Sequence, residues 1–266
     1  GNYRLYQNKA GHDAGRLPQV AALKGVRYSD VRPLRELESD LADGFTAAYT
    51  FIEPAYGDVV GGSYRSGSSQ HPCDGLENGD RLIARVYRMI RNSPVWEHSL
   101  LIITYDEHGG FYDSGIPAEA APPPNDGSGA DEEYGFDFSV YGARVPAVVV
   151  SPWIAKGVVD HRLYDHSSIL ATVERQFGHD PLTDRDGRAR DLLHLLGDSL
   201  RPDSDCPRSL RELPEPDFAP AGDTGIELES PAEPIEDGDN LKGFLFVAEK
   251  AQREVAPDAM ALESLP

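Results

Sequence analysis

Leu100-Leu101-Ile102-Ile103-Thr104-Tyr105-Asp106-Glu107-His108-Gly109-Gly110 decides the fold. Its first six residues are almost continuously apolar, the pattern of a strand buried on both faces of a parallel sheet. The run then turns acidic at once. In open α/β sheets, ligands collect outside the carboxyl ends of the strands. Two adjacent carboxylates at that edge offer the hard oxygens that hard divalent cations take as ligands. Gly109 and Gly110 let the backbone turn sharply or approach a ligand closely. Successive strand side chains point to opposite faces, so both carboxylates reach one ion only if the strand has already bent. The competing reading makes Asp106 the cap of a following turn and Glu107 a surface acid.

Outward from this stretch the pattern alternates between helix and strand. Pro146 to Val150 reads as a second buried strand and Tyr49 to Ile52 as a short one. Asp30 to Asp43 reads as a helix, with Leu34, Leu37 and Leu41 on one stripe and Gly44 as its stop. Asn78 to Asn92 carries Leu82, Ile83, Val86, Tyr87 and Ile90 at helical spacing. Asp165 caps a helix reaching to about Phe177 in this reading. The fold class is therefore α/β, a mostly parallel sheet with helices on both faces. A loop rich in Pro, Gly and acid runs from Ile116 to Tyr141. Loops of that length inside a domain are often lids or insertions near a site.

The chain has 266 residues and a formal charge of −20, from 25 Lys and Arg against 45 Asp and Glu. That balance excludes general binding to nucleic acid, whose phosphates would be repelled, and docking on an anionic membrane surface. No run approaches the roughly 20 apolar residues of a membrane-spanning helix. Two cysteines, Cys73 and Cys206, exclude a disulfide scaffold and a Cys-rich zinc site, and form one bridge or none. From Asp203 to Asn240, 12 Asp and Glu against Arg208 and Arg211 leave −10, half the net charge, among six prolines. Like charges repel and proline removes donors, so residues 203–266 read as an irregular acidic extension of a 1–202 domain. A short helix from Leu241 to Val255 is expected within it, with Leu241, Phe244, Leu245 and Ala248 on one face.

Two histidines draw notice. His71 lies in a Gly- and Ser-rich loop before the helix at Asn78, where an imidazole can contact phosphate, act as general acid or simply face solvent. His166 lies in Tyr164-Asp165-His166-Ser167-Ser168, and packing in the first helical turn is the competing reading there. The Gly67-Ser68-Ser69 segment forms no Gly-x-Ser-x-Gly elbow, and no phosphate-binding Gly-Lys loop, dinucleotide fingerprint or His-Glu-x-x-His occurs.

In order, several segments resemble the phosphoesterase family of bacterial phospholipases C and related acid phosphatases, within the alkaline-phosphatase-like superfamily. They are Tyr49-Thr-Phe-Ile-Glu-Pro54, Gln70-His-Pro72, Ser93-Pro-Val-Trp96 and Leu101 to Asp113 around Asp106-Glu107-His108-Gly109-Gly110. Arg144-Val-Pro146, Val150-Ser-Pro-Trp153 and Tyr164-Asp-His-Ser-Ser-Ile169 follow. The resemblance implies hydrolysis of phosphoric esters, with a Ser or Thr attacking phosphorus on a divalent metal ion. It implies Asp106 and Glu107 as metal ligands and His71 as phosphate contact or proton donor to the leaving oxygen. His108 and His166 are the candidates for substrate contact. The family's early Glu-Asn pair and its nucleophile segment have no match here, so the chain resembles the C-terminal half of the family, with the nucleophile expected in an N-terminal half. Ser68-Ser69 stands where Asn-Asp is common, and Ser114 where His is frequent. Half a constellation implies weak metal affinity, exposed sheet edges and, as the alternative function, a binding or scaffold module without turnover. Export from the cytoplasm is the family's analogy for location.

Overall fold

β1 (Tyr3–Gln7) runs between β2 (Val31–Pro33) and β3 (Tyr49–Glu53) in a three-stranded parallel sheet, with Leu5 opposite both Val31 and Phe51. The computed structural model describes residues 2–8, 17–60, 63–72, 74–117, 121–126, 138–211 and 241–255. It divides the chain into two compact units, Gly1–Pro94 with Ser209–Pro266, and Val95–Arg208.

In the first unit, β1 sinks toward its carboxyl end. Tyr3, at its start, is exposed, whereas Leu5, Tyr6 and Gln7 are buried. Helix α1 (Leu37–Ala42) follows β2, and its expected stripe is present, since Leu34, Leu37 and Leu41 are all buried. The helix expected over Asp30 to Asp43 is shorter than its pattern suggests, because Val31–Pro33 is strand and Leu34–Glu36 a single 3₁₀ turn. Pro33 is the reason: it excludes the α region for Arg32 and brings no N–H of its own. Gly44, at φ +63, takes the left-handed conformation that ends the segment. The short hairpin of β4 (Asp58–Val60) and β5 (Ser63–Arg65) then leads to α2 (Glu77–Arg91), which matches the helix expected at Asn78 within a residue.

Two polar anchors fasten this unit. Glu53, at the end of β3, is 2% exposed and accepts from Gln19 N at 2.5 Å and Val20 N at 3.1 Å. Burial pushes its carboxyl above the usual carboxylate range, and the two N–H groups pull the other way. The second anchor is α5 (Leu241–Val255), a helix over the residues expected. Val247 is fully buried against Leu5, Ala21 and Val31, a position outside the expected face of Leu241, Phe244, Leu245 and Ala248. The side chains of 241–245 lie outside the described residues, as does the acidic stretch 212–240. Lys250 Nζ donates to the carbonyls of Ala21 (2.5 Å), Leu23 (3.2 Å) and Val26. Glu254 accepts from Tyr28 N at 2.9 Å and from Ser29 N at 3.2 Å.

In the second unit, β6 (Leu101–Thr104) pairs antiparallel with β7 (Ala147–Val150), Leu101 opposite Val150. This corrects the expectation of a parallel strand buried on both faces. The pair is a two-stranded sheet among the described residues, all four β6 residues are only half-buried, and Val148 is 54% exposed. An apolar run reports that both faces avoid water and says nothing about strand direction. Helix α3 (Ser167–Phe177) follows, closed by left-handed Gly178, then α4 (Asp184–Arg188). Thr183 caps α4, its side chain accepting from the Arg185 and Asp186 N–H groups, while buried Asp186 accepts from Leu182 N and Thr183 N. Mixed helix and sheet with a small parallel sheet agrees with an α/β class.

Lys250→Met keeps the side-chain stem and removes a cation shared by three carbonyls. It is expected to cost about 1–3 kcal/mol in urea unfolding. Arg253→Met, whose partner Glu249 lies exposed on the same helix, is expected to cost far less.

Candidate functional site

The bend that two carboxylates need is present. β6 ends at Thr104 and the chain bends at Asp106 and Glu107 before turning at Gly109-Gly110. Both glycines have positive φ, +66 and +72, which a side chain would strain. Asp106 Oδ1 accepts from Glu107 N at 3.0 Å, and Glu107 Oε2 accepts from Gly109 N at 2.6 Å. Asp106 therefore caps the turn, as the competing reading held, Glu107 does so too where that reading made it a plain surface acid, and each has a second oxygen outside those two bonds. His108 Nδ1 stands 3.7 Å from Glu107 Oε2. His166 joins them, its Nε2 lying 2.8 Å from the Tyr105 carbonyl. A carbonyl only accepts, so Nε2 donates, and in the neutral ring Nδ1 becomes the acceptor. The strand end thus gathers Asp106, Glu107, His108 and His166 within the second unit.

Asp165 does not cap α3. Arg185 takes its carboxylate, with Oδ2 3.1 Å from NH2 and 3.2 Å from Nε, and a charge-assisted fork outcompetes a neutral backbone N–H. Ser168 Oγ instead accepts from Asp165 N at 3.1 Å. Two further carboxylates are held by partners. Arg144 grips Asp113 at 2.6 Å, helped by the Gly115 and Arg144 N–H groups, and holds its carboxyl far below the usual range. His194, Tyr164 and the Arg162 N–H do the same for Asp160. Between Gly110 and the loop expected from Ile116 to Tyr141, Phe111, Tyr112 and Ile116 are 67%, 92% and 93% exposed. Residues 118–120 and 127–137 of that loop lie outside the described residues.

His71 belongs to the first unit, half-buried, its Nδ1 donating to the Pro72 carbonyl at 3.0 Å. The loop that carries it is built by side chains that hydrophobic periodicity does not single out. Asp74 accepts from Ser66 N, Gly67 N and Gly75 N. Buried Ser68 bridges Asn8 and Ala55 through its hydroxyl oxygen. Gln70, just before His71, is held at φ +60, its amide donating to Leu76 O at 2.8 Å and Asp80 Oδ1 at 3.0 Å. A non-glycine in that region is strained and persists only where its surroundings over-determine it, as they often do at functional sites. Gly79 makes room, because a Cβ there would stand 2.3 Å from Gln70 Cγ. The Gln7 amide and Ser69 Oγ are buried and have no hydrogen-bond partner among the described residues. Gly79 interrupting a helical pattern beside the His-Pro loop was the available signal. Cys206 is buried, and Cys73 lies outside the described residues.

A hard cation fits the Asp106-Glu107 pair as far as it goes: two carboxylates in one bend, each with an oxygen to spare. Among the described residues, no group of three or more His, Cys, Asp and Glu is placed to hold a metal ion. Comparison with known proteins extends the geometry. The model of the phosphoesterase family matches residues 4–179, about two thirds of the chain. The chain belongs to the phosphoesterase family. Within it, the chain is similar to non-specific phospholipase C6 of Arabidopsis thaliana, 38% identical over 189 residues, which cover 67% of the chain and 36% of that protein. It is also similar to hemolytic phospholipase C of Pseudomonas aeruginosa, 34% identical over 119 residues, covering 41% of the chain and 16% of that protein. Phospholipase C B of Mycobacterium tuberculosis is 32% identical over 121 residues, 41% of the chain and 23% of that protein. The chain spans about a third of the length of the plant relatives it matches. The phosphoesterase match covers β1 to α3, and so includes every candidate residue.

The Asp113 ion pair sets an acid dependence. Its folded pKa lies below the unfolded value, so its stabilisation is complete above the ordinary carboxylate range near pH 4 and is lost as pH falls through the folded value. The difference in Tm between the wild type and Asp113→Asn is therefore expected to hold from neutrality to that range and to close only in stronger acid.

Proposed function

We propose that this chain carries the His-Pro loop and the carboxylate-bearing strand end of a phosphoric ester hydrolase of the phospholipase C and acid phosphatase type, on an alkaline-phosphatase-like fold. One observation carries the reading: within a phosphoesterase-family match, the Asp106-Glu107 pair sits on a strand-end bend with His166 drawn to the same carbonyl edge. Asp106 and Glu107 would hold a divalent cation through oxygen. Such a cation supplies charge neutralisation at the phosphoryl oxygens and a lowered pKa for an attacking hydroxyl. Gly109 and Gly110 hold the two carboxylates in their bend, and the Gly109 N–H orients Glu107. The Tyr105 carbonyl fixes the tautomer of His166, which leaves Nδ1 as an acceptor for a substrate hydroxyl. His108, beside Glu107, is the other substrate contact. His71, its ring set by the Pro72 carbonyl, holds a phosphoryl oxygen or returns a proton to the leaving oxygen. No residue of the chain is assigned as nucleophile. In this reading that group comes from the part of the family's length that these residues do not span. Action outside the cytoplasm belongs to the same analogy. Among the described residues no helix is long and apolar enough to cross a membrane.

A second reading is a binding module without turnover, favoured by the incomplete ligand set among the described residues. Hydrolysis of chromogenic phosphodiesters and phosphomonoesters, with Mn²⁺ or Ca²⁺, separates the two in the gene product that carries these residues. Turnover that Asp106→Ala lowers by about a hundredfold or more supports the hydrolase. Turnover indistinguishable from the Asp106→Ala background selects the module. His166→Asn is expected to lower kcat/KM about tenfold with little change in Tm, since its ring is exposed.

A further inference from the structure

A cavity of about 180 Å³ opens in the first unit, lined by Asn8, Gly67, Ser68 and one stripe of α2: Asn78, Arg81, Leu82 and Arg85. On the same measure a single water needs only roughly 10–15 Å³, so the space suits a larger guest. The stripe follows helical spacing, i, i+3, i+4 and i+7, and puts two guanidinium groups one turn apart on the same wall. The lining holds no carboxylate among the described residues, in a chain of net charge −20.

Ser68 gives the cavity its polarity. It is 5% exposed, and its Oγ accepts from Asn8 Nδ2 at 2.8 Å and from Ala55 N at 2.9 Å. Both lone pairs are then engaged and the hydroxyl can only donate. Among the described residues nothing accepts that hydrogen. Buried donors are satisfied in native structures, and an oxyanion in this cavity would supply the acceptor. Asn78 points the same way, because its Oδ1 faces Arg81 NH1 at 3.5 Å and its amide N–H₂ remains to donate. Gly67 lets the loop lie this close, since a Cβ would stand 2.6 Å from the Ala55 carbonyl.

We propose that this cavity is a binding site for a phosphate oxyanion. The Arg81 and Arg85 guanidinium groups neutralise it, and Ser68 Oγ–H and the Asn78 amide donate to its oxygens. Planar guanidinium forks match tetrahedral oxyanions, and charge-assisted hydrogen bonds are the strong ones. The site uses none of the strand-end residues Asp106, Glu107, His108 or His166, and it neither requires a metal ion nor depends on the hydrolase reading.

The test is a titration of the 266-residue chain with inorganic phosphate, without divalent metal and at low salt, read by calorimetry. Phosphocholine and phosphatidylcholine vesicles form parallel arms. Saturable phosphate binding is expected, weakened about tenfold or more by Arg85→Gln, and retained in Arg253→Gln, which removes the same charge from α5. Ser68→Ala is expected to weaken it too. Because that change also strips Asn8 and Ala55 of their acceptor, its unfolding is monitored by circular dichroism, and Arg85→Gln is the deciding variant. Tighter binding of phosphocholine or of vesicles, lost in Arg85→Gln, supports the site and names a lipid headgroup as the source of the oxyanion. Absence of saturable binding in all three arms overturns the proposal, as does equal weakening by Arg253→Gln. No turnover is read, so failure here leaves the Asp106-Glu107 reading standing, and failure of Asp106→Ala to affect hydrolysis leaves this site standing.

Discussion

Successive side chains of a strand face opposite ways, and that constraint governs the candidate site. On a strand Asp106 and Glu107 would point to opposite faces, but the chain has stopped being a strand by the time it reaches them. Thr104 is the last paired residue, and the two positive-φ glycines complete the reversal. The carboxylates stabilise the bend they need by accepting from Glu107 N and Gly109 N. The same edge collects His166, because the Tyr105 carbonyl, just past the last paired residue of β6, accepts from its ring. One local change of backbone direction thus carries both acids in a single bend and sets an imidazole against the Tyr105 carbonyl.

The first unit solves a related problem with different means. There, the loop after β5 has to lie against the carboxyl ends of a parallel sheet, where buried backbone groups need partners. Asp74, Ser68 and Gln70 supply them, and Gly67 and Gly79 remove the side chains that would hold the layers apart. What results is a strained Gln70 and buried polar atoms on Gln7 and Ser69 that meet no hydrogen-bond partner among the described residues. Such strain is tolerated where a ligand is handled. The terminal helix closes the unit from the far end of the chain: the Lys250 ammonium ties down three carbonyls of a segment with little regular structure of its own.

Much of this was legible from residue order. The Glu77–Arg91 helix and the Leu241–Val255 helix stand where periodicity placed them, and the Leu34, Leu37 and Leu41 stripe is buried. The failures have local causes. Pro33 turned the start of an expected helix into an edge strand, and Arg185 drew Asp165 away from a capping role. The antiparallel pairing of β6 with β7 was illegible because an apolar run carries no direction. Val247 packs into the core although the expected face did not include it, since helix phase depends on what the helix packs against.

The residue order alone determined the family, through an ordered set of short segments, and the types of residue available for chemistry: two adjacent acids, two loop histidines and the glycines beside them. Only the tertiary structure decided which of these meet. Hydrogen bonds between residues far apart in sequence, such as His166 with Tyr105 and Asn8 with Ser68, depend on where strands end and loops fold back. The donor-lined cavity is likewise a property of packing. Arg81 and Arg85 stand one turn apart on α2, and they share a cavity wall with Ser68 only because the loop before the helix folds against it.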